Sequence, residues 1–323
     1  MLKEEKWAEY SCYMKMDMEV LMTLRYTIDV FFEEMFMFKN KKVILGIIVV
    51  SCLMIGVGFF LYHDYYQLKE ADLILFMGQS NMSGAGGNAE EAPELIRGAG
   101  YEYRAITQPN ELCVLEEPFG TAEHKEGFLD DSPFLTRGGS LVTSFVNSYY
   151  EETKERVVAI SASRGSAQVS SFNRYLVEDV IERLEGAKRV MTEQGVNIRH
   201  IYMVWFQGET DAYVGTTSDE YVGGMQKLLF TLQPYGVEKC FVIQIGNVVM
   251  DGEVIDTSYI QTVQENLCAG DENFVLVSTL PKQISESPYM EDQIHFTQAG
   301  LNLIGEDAGK AAGKYVKSAE KGW

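Results

Sequence analysis

The sequence predicts an α/β protein in which a central parallel sheet lies between two helical layers, preceded by one helix that spans a membrane. Three observations predict it. Apolar runs of strand length recur from Asp72 onward with little polar alternation, as strands buried on both faces require. Longer segments with helical spacing separate these runs, which is the signature of repeated βαβ units. Upstream, the run from Val43 to Tyr62 carries no charge at all.

Residues 1–42 form an N-terminal segment rich in methionine, aromatic and acidic residues. Translation from Met37 would start MFKNKK and lead straight into the apolar run, so residues 1–36 are expected to be an artefact of start-site choice. An amphipathic cytoplasmic helix between Val20 and Phe38 is the alternative. As a helix, the run 43–62 is about 30 Å long, the thickness of a hydrocarbon core. Lys39, Lys41 and Lys42 precede it, and His63 and Asp64 follow. That asymmetry puts the N-terminus in the cytoplasm and the rest of the chain outside. A buried core helix and a cleaved signal peptide are the alternatives, and Val49-Val50-Ser51-Cys52 is similar to a lipoprotein cleavage box whose cysteine carries lipid.

A linker, 63–71, leads to one domain expected over 72–323. Strands are predicted at Asp72 to Met77, Arg156 to Ser161, His200 to Phe206, Cys240 to Ile245 and Asn273 to Ser278. Helices are predicted at Ser140 to Glu152, Tyr175 to Glu193, Ser218 to Leu232, Thr257 to Leu267 and Thr297 to Val316. The stretch from Gly84 to Arg137 holds four prolines and several glycines and is too long for an ordinary connection, so it is expected to be an irregular binding or lid element.

Composition excludes several classes. With 27 Lys plus Arg against 47 Asp plus Glu, the net charge is −20, and such a surface repels phosphate backbones, so nucleic acid is not an expected partner. The five cysteines form no CxxC pair and no Cys/His run with zinc spacing, so neither a structural metal nor a disulfide framework is expected.

In open parallel sheets, ligands bind beyond the carboxyl ends of the strands. Those ends carry Gly78-Gln79-Ser80-Asn81-Met82, Ser163-Arg164-Gly165-Ser166 and Gln207-Gly208-Glu209-Thr210-Asp211, and Asp292-Gln293-Ile294-His295 precedes the last helix. A serine hydroxyl needs a neighbouring base to become a nucleophile, and histidine has the suitable pKa. Of the four histidines only His295 stands at the ligand edge. Asp292, three residues earlier, can brace its ring, which makes Ser80, His295 and Asp292 a candidate triad. The backbone N–H groups of Ser80 and Gly165 and the side-chain amide of Gln207 are the candidate donors to an oxyanion. Gln79, Asn81, Arg164, Glu209 and Tyr213 are the candidates for substrate contact. Arg164 suits a carboxylate, Phe172 and Tyr213 suit a sugar face, and Trp205 lies in an apolar strand and reads as core. Gly84-Ala85-Gly86-Gly87-Asn88-Ala89 matches a dinucleotide pattern of glycines, but it comes too late after its strand and is taken as a loop.

Three blocks, Gly78-Gln79-Ser80-Asn81, Trp205-Phe206-Gln207-Gly208-Glu209-Thr210-Asp211 and Asp292-Gln293-Ile294-His295, resemble in order the signatures of the SGNH hydrolase superfamily. The carbohydrate esterases of the sialate O-acetylesterase and acetylxylan esterase type resemble them best. The resemblance runs from about Asp72 to Val316. It implies a flavodoxin-like three-layer fold, hydrolysis of O-acetyl groups on sugars, no metal or organic cofactor, and Ser80, His295 and Asp292 as nucleophile, base and orienter. The block Ser163-Arg164-Gly165-Ser166-Ala167 departs from the Gly-Gly pair often found there. A non-catalytic carbohydrate-binding protein, or a lipase or thioesterase on the same fold, are the competing expectations.

Overall fold

The structure, a computed structural model, describes residues 68–121, 123, 137–250 and 252–320, and all of these except Leu68 belong to one compact unit, Lys69–Trp323. The expected membrane segment 43–62, the segment 1–42 before it, and most of the linker lie outside the described residues. Among the described residues, no helix is long and apolar enough to cross a membrane.

The first apolar run forms β1 (Glu70–Gly78), whose residues from Ala71 to Met77 are all inaccessible to solvent. It has no solvent face because it is central: it pairs in parallel with β4 (Val157–Ser163) on one side and β5 (Asn197–Phe206) on the other. Two short strands inside the proline-rich insertion, β2 (Gly100–Tyr103) and β3 (Leu112–Val114), extend the sheet beyond β4. β6 (Lys239–Ile243) and β9 (Phe274–Ser278) extend it beyond β5, giving the order β3-β2-β4-β1-β5-β6-β9 with only β3 antiparallel. A separate hairpin, β7 (Val248–Met250) and β8 (Glu253–Ile255), stands in the connection after β6.

The α-helices of four residues or more among the described residues, in chain order, are α1 (Ser80–Ser83), α2 (Val142–Thr153), α3 (Val177–Glu193), α4 (Glu209–Val214), α5 (Ser218–Leu232), α6 (Ser258–Gly270), α7 (Leu280–Gln283) and α8 (Gln298–Glu320). Thr217 and Glu220 form a reciprocal capping box that starts α5, and the Thr297 hydroxyl accepts the Gly300 N–H in the first turn of α8. On one face of the sheet, Phe145 and Tyr149 of α2 and Ile304 and Ala308 of α8 enclose Ile74 and Phe76 of β1. The two helices meet backbone to backbone. A Cβ on Gly305 would stand 2.3 Å from the Leu141 carbonyl oxygen, and one on Gly309 2.2 Å from that of Phe145. On the other face, Trp205 packs edge-on to Phe172 at 4.9 Å and its indole N–H donates to the Tyr221 hydroxyl of α5 at 3.2 Å.

Two expectations change. The linker ends earlier than Ala71, because β1 begins at Glu70. The insertion is not wholly irregular, because its Gly100–Tyr103 backbone finds a parallel partner in Val157–Ile160 of β4.

Candidate active site

β1 ends at Gly78 and the chain turns at once into α1, which begins with Ser80. Neighbouring strand ends fasten this turn. The Gln79 N–H donates to the Phe206 carbonyl at 3.2 Å, and the Arg164 N–H donates to the Gly78 carbonyl at 2.8 Å, so the segment after β4 runs beside the serine. The Ser83 hydroxyl donates to that of Ser163 at 2.9 Å.

The loop before α8 delivers the second group. One carboxylate oxygen of Asp292 accepts the backbone N–H groups of Ile294 and His295, both at 2.7 Å, and folds the loop on itself. Its other oxygen lies 2.7 Å from His295 Nδ1, while His295 Nε2 lies 2.9 Å from Ser80 Oγ. Partial burial raises the Asp292 carboxyl, but the bonds from the His295 ring and the two backbone donors together hold it below its ordinary value. Ser80 Oγ, imidazole and carboxylate thus form one connected line. Such a line can pass a proton from hydroxyl to ring while the carboxylate stabilises the resulting charge.

The other predicted residues are distributed unevenly. Gly165 follows Arg164 in the segment that runs beside the serine turn. The Ser80 N–H is at the first position of a helix, where no intrahelical acceptor exists. Arg164 is partly exposed and Tyr213 is half exposed on α4.

The expectation that Gln207 donates to an oxyanion is corrected. Its side chain is inaccessible, and its amide nitrogen is engaged by the Ala167 carbonyl at 2.9 Å, Asp211 Oδ2 at 2.5 Å and Gln79 Oε1 at 3.2 Å. Two N–H bonds serve three acceptors and leave none for a ligand. Gln79, Asn81 and Glu209 are likewise corrected as substrate contacts, because each is at most 3% exposed and bonded inward. Phe172 and Trp205 are fully buried and cannot stack on a sugar.

Burial raises the Glu209 and Asp211 carboxyls, against the bonds from Asn81 and Gln207 respectively. Asp211 also accepts the Val169 N–H at 2.9 Å, which ties the segment after β4 to α4.

Sequence reasoning missed the role of the glycine run after α1. A Cβ on Gly86 would stand 2.5 Å from the Phe296 carbonyl oxygen and 2.8 Å from the His295 Cβ, so the run lets the His295 loop approach closely. The failed dinucleotide match was the available signal: a glycine cluster without a phosphate site marks a close backbone crossing. Arg137, also unremarked, donates to the Ser163 carbonyl and hydroxyl and to the Phe119 carbonyl. Among the described residues, no group of three or more His, Cys, Asp or Glu could hold a metal ion.

A parallel α/β sheet carrying a Gln-Ser-Asn turn after its first strand and an Asp-x-x-His loop before its last helix defines an SGNH-type hydrolase. The chain belongs to the carbohydrate esterase family SASA, the sialic acid-specific acetylesterases, whose model matches residues 70–314. Among solved structures, a protein of Arabidopsis thaliana is similar with a TM-score of 0.57 at 17% identity, over 75% of this chain and 97% of that one. NanS is similar with a TM-score of 0.52 at 12% identity, over 78% and 99%. The acetylxylan esterase Axe2 of Geobacillus stearothermophilus gives a TM-score of 0.42 at 14% identity, over 75% and 94%. The first two likenesses show the shared fold. Comparison with curated proteins finds no match.

Proposed function

We propose that the chain is a serine esterase that removes O-acetyl groups from carbohydrates through an acyl-enzyme. The observation that carries this reading is the line Ser80–His295–Asp292, with contacts of 2.9 Å and 2.7 Å, in a chain of the SASA family. His295 Nε2 takes the proton of Ser80 Oγ as that oxygen attacks the acetyl carbonyl carbon, and Asp292 holds Nδ1–H so that Nε2 faces the serine. The backbone N–H groups of Ser80 and Gly165 receive the developing oxyanion. The imidazolium then returns its proton to the departing sugar oxygen, and water repeats the sequence on the acetyl-serine. Sialic acid carries a carboxylate, which Arg164 suits, and Tyr213 offers an exposed ring to a sugar face.

The charge-free run 43–62 supports placing this domain outside a membrane that the run anchors. Protease protection of the full-length chain in intact cells tests that placement. The activity is tested by acetate release from O-acetyl sialic acid, acetylated xylan and a chromogenic acetate ester. Turnover that disappears in Ser80→Ala supports the reading, and turnover that survives it refutes it.

A further inference from the structure

Asn81 and Glu209 are buried beside the serine, and their bonds lead to one place. Asn81 is 1% exposed and stands next to Ser80 in the single turn of α1. Its side-chain oxygen accepts the Phe296 N–H at 3.2 Å, and its side-chain nitrogen donates to the Ile294 carbonyl at 3.1 Å. Ile294 and Phe296 flank His295, so one amide grips the backbone on both sides of the imidazole. The remaining N–H of that amide donates to Glu209 Oε1 at 2.8 Å.

The orientation of the amide matters, because a flip would set its oxygen against the Ile294 carbonyl and its nitrogen against the Phe296 N–H. A carboxyl oxygen at the third point makes the flip worse, since it accepts from nitrogen and gives a carbonyl oxygen nothing. Glu209 is costly where it stands: it is 2% exposed, and its Oε2 has no hydrogen-bond partner among the described residues. The placement of the imidazole against the hydroxyl is therefore fixed through a side chain of the serine's own turn, which holds the backbone of the His295 loop, as well as by the serine–histidine bond.

We infer that Glu209 is a positioning residue of the esterase reaction, acting through Asn81 to hold the His295 loop on the Ser80 turn; this rests on the roles proposed for Ser80 and His295. The test uses the full chain, with steady-state kinetics on a chromogenic acetate ester and a thermal melt for each variant. Glu209→Met fills the space without an acceptor and is expected to lower kcat by about tenfold or more with KM within about twofold. Glu209→Gln keeps an acceptor oxygen for Asn81 and is expected to stay within about threefold of wild-type kcat. In Asn81→Ala the Glu209→Met substitution should cost little more, because both act on one chain of bonds.

An unchanged kcat in Glu209→Met, equal losses in the Met and Gln variants, or losses that multiply in the double variant overturn the inference. Should Glu209→Met not melt cooperatively, Glu209→Leu, smaller and also without an acceptor, reads the same contact and is expected to lower kcat by about tenfold or more. An unchanged kcat in that variant overturns the inference. Wild-type activity that is lost in Ser80→Ala and unaffected by every change at Glu209 rejects this inference alone. A wild type inactive on every ester rejects the esterase reading, and this inference with it.

Discussion

His295 Nε2 lies 2.9 Å from Ser80 Oγ across 215 residues of chain, and neither group is placed by the other alone. The serine is set by a strand end in the centre of the sheet, and the histidine by a loop that Asp292 folds through two backbone N–H bonds. Removing the hydroxyl leaves both supports intact. Ser80→Ala is therefore expected to melt as the wild type does and to lose about three orders of magnitude or more in kcat on acetate esters.

Asp292 has a different role, and its loss should look different. Asn at this position can turn its amide nitrogen towards His295 Nδ1 and stabilise the tautomer that leaves a proton on Nε2, which cannot then accept from serine. Asp292→Asn is expected to lower kcat by about 10² to 10⁴ while KM stays within a few-fold. The Asp292 carboxyl is lowered in the folded state, so its contribution to stability is present above the unfolded value and vanishes as pH falls through the folded one. The melting-temperature gap between wild type and variant should be constant above about pH 5 and narrow progressively as pH falls past the ordinary value of 3.8. A gap that closes near neutrality would contradict this assignment.

The five long parallel strands and their helices were legible because burial on both faces leaves an unbroken apolar run, and Ser80 and His295 were legible because they follow or precede such elements. β2 was not legible, since Gly100–Tyr103 is four residues long and only its pairing with β4 and β3 makes it a strand. The fate of Gln207 was not legible either. Its position after β5 is a property of sequence, but its amide is occupied by Ala167, 40 residues away, and by Asp211 one helical turn on. Which polar side chain at a strand end faces a ligand and which braces a loop is decided by such partners, and a residue's type does not reveal them.

Gly86 gives the closest approach between the glycine run and the histidine loop. With 2.5 Å available to a Cβ before the Phe296 carbonyl oxygen, Gly86→Ala must push the loop away from α1. Because a misplacement of about 1 Å can cost about 10²-fold in rate, a large fall in kcat is expected with a small change in melting temperature. A melting temperature that collapses together with kcat would show that the run serves folding rather than the placement of His295.

Towards one edge of the sheet stands a carboxyl with the opposite shift. Glu102 of β2 is 1% exposed, and although its carboxyl accepts from Arg104 at 2.9 Å and from the Gly120 N–H at 3.1 Å, burial pushes it up to about 7. A raised carboxyl binds a proton in the folded chain that the unfolded chain has already released, so this contribution to stability is complete below the ordinary value of 4.5 and is lost as pH rises through about 7. The full effect is about 3 kcal/mol, at about 1.4 kcal/mol per pKa unit, or roughly 5–10 °C in melting temperature for a domain of this size. Glu102→Gln cannot ionise. Its melting temperature, followed from pH 5 to pH 8, should fall less than that of the wild type by most of that amount, whatever constant offset the lost Arg104 pairing introduces. Parallel curves would mean that Glu102 stays charged across the whole range and that Arg104 outweighs its burial.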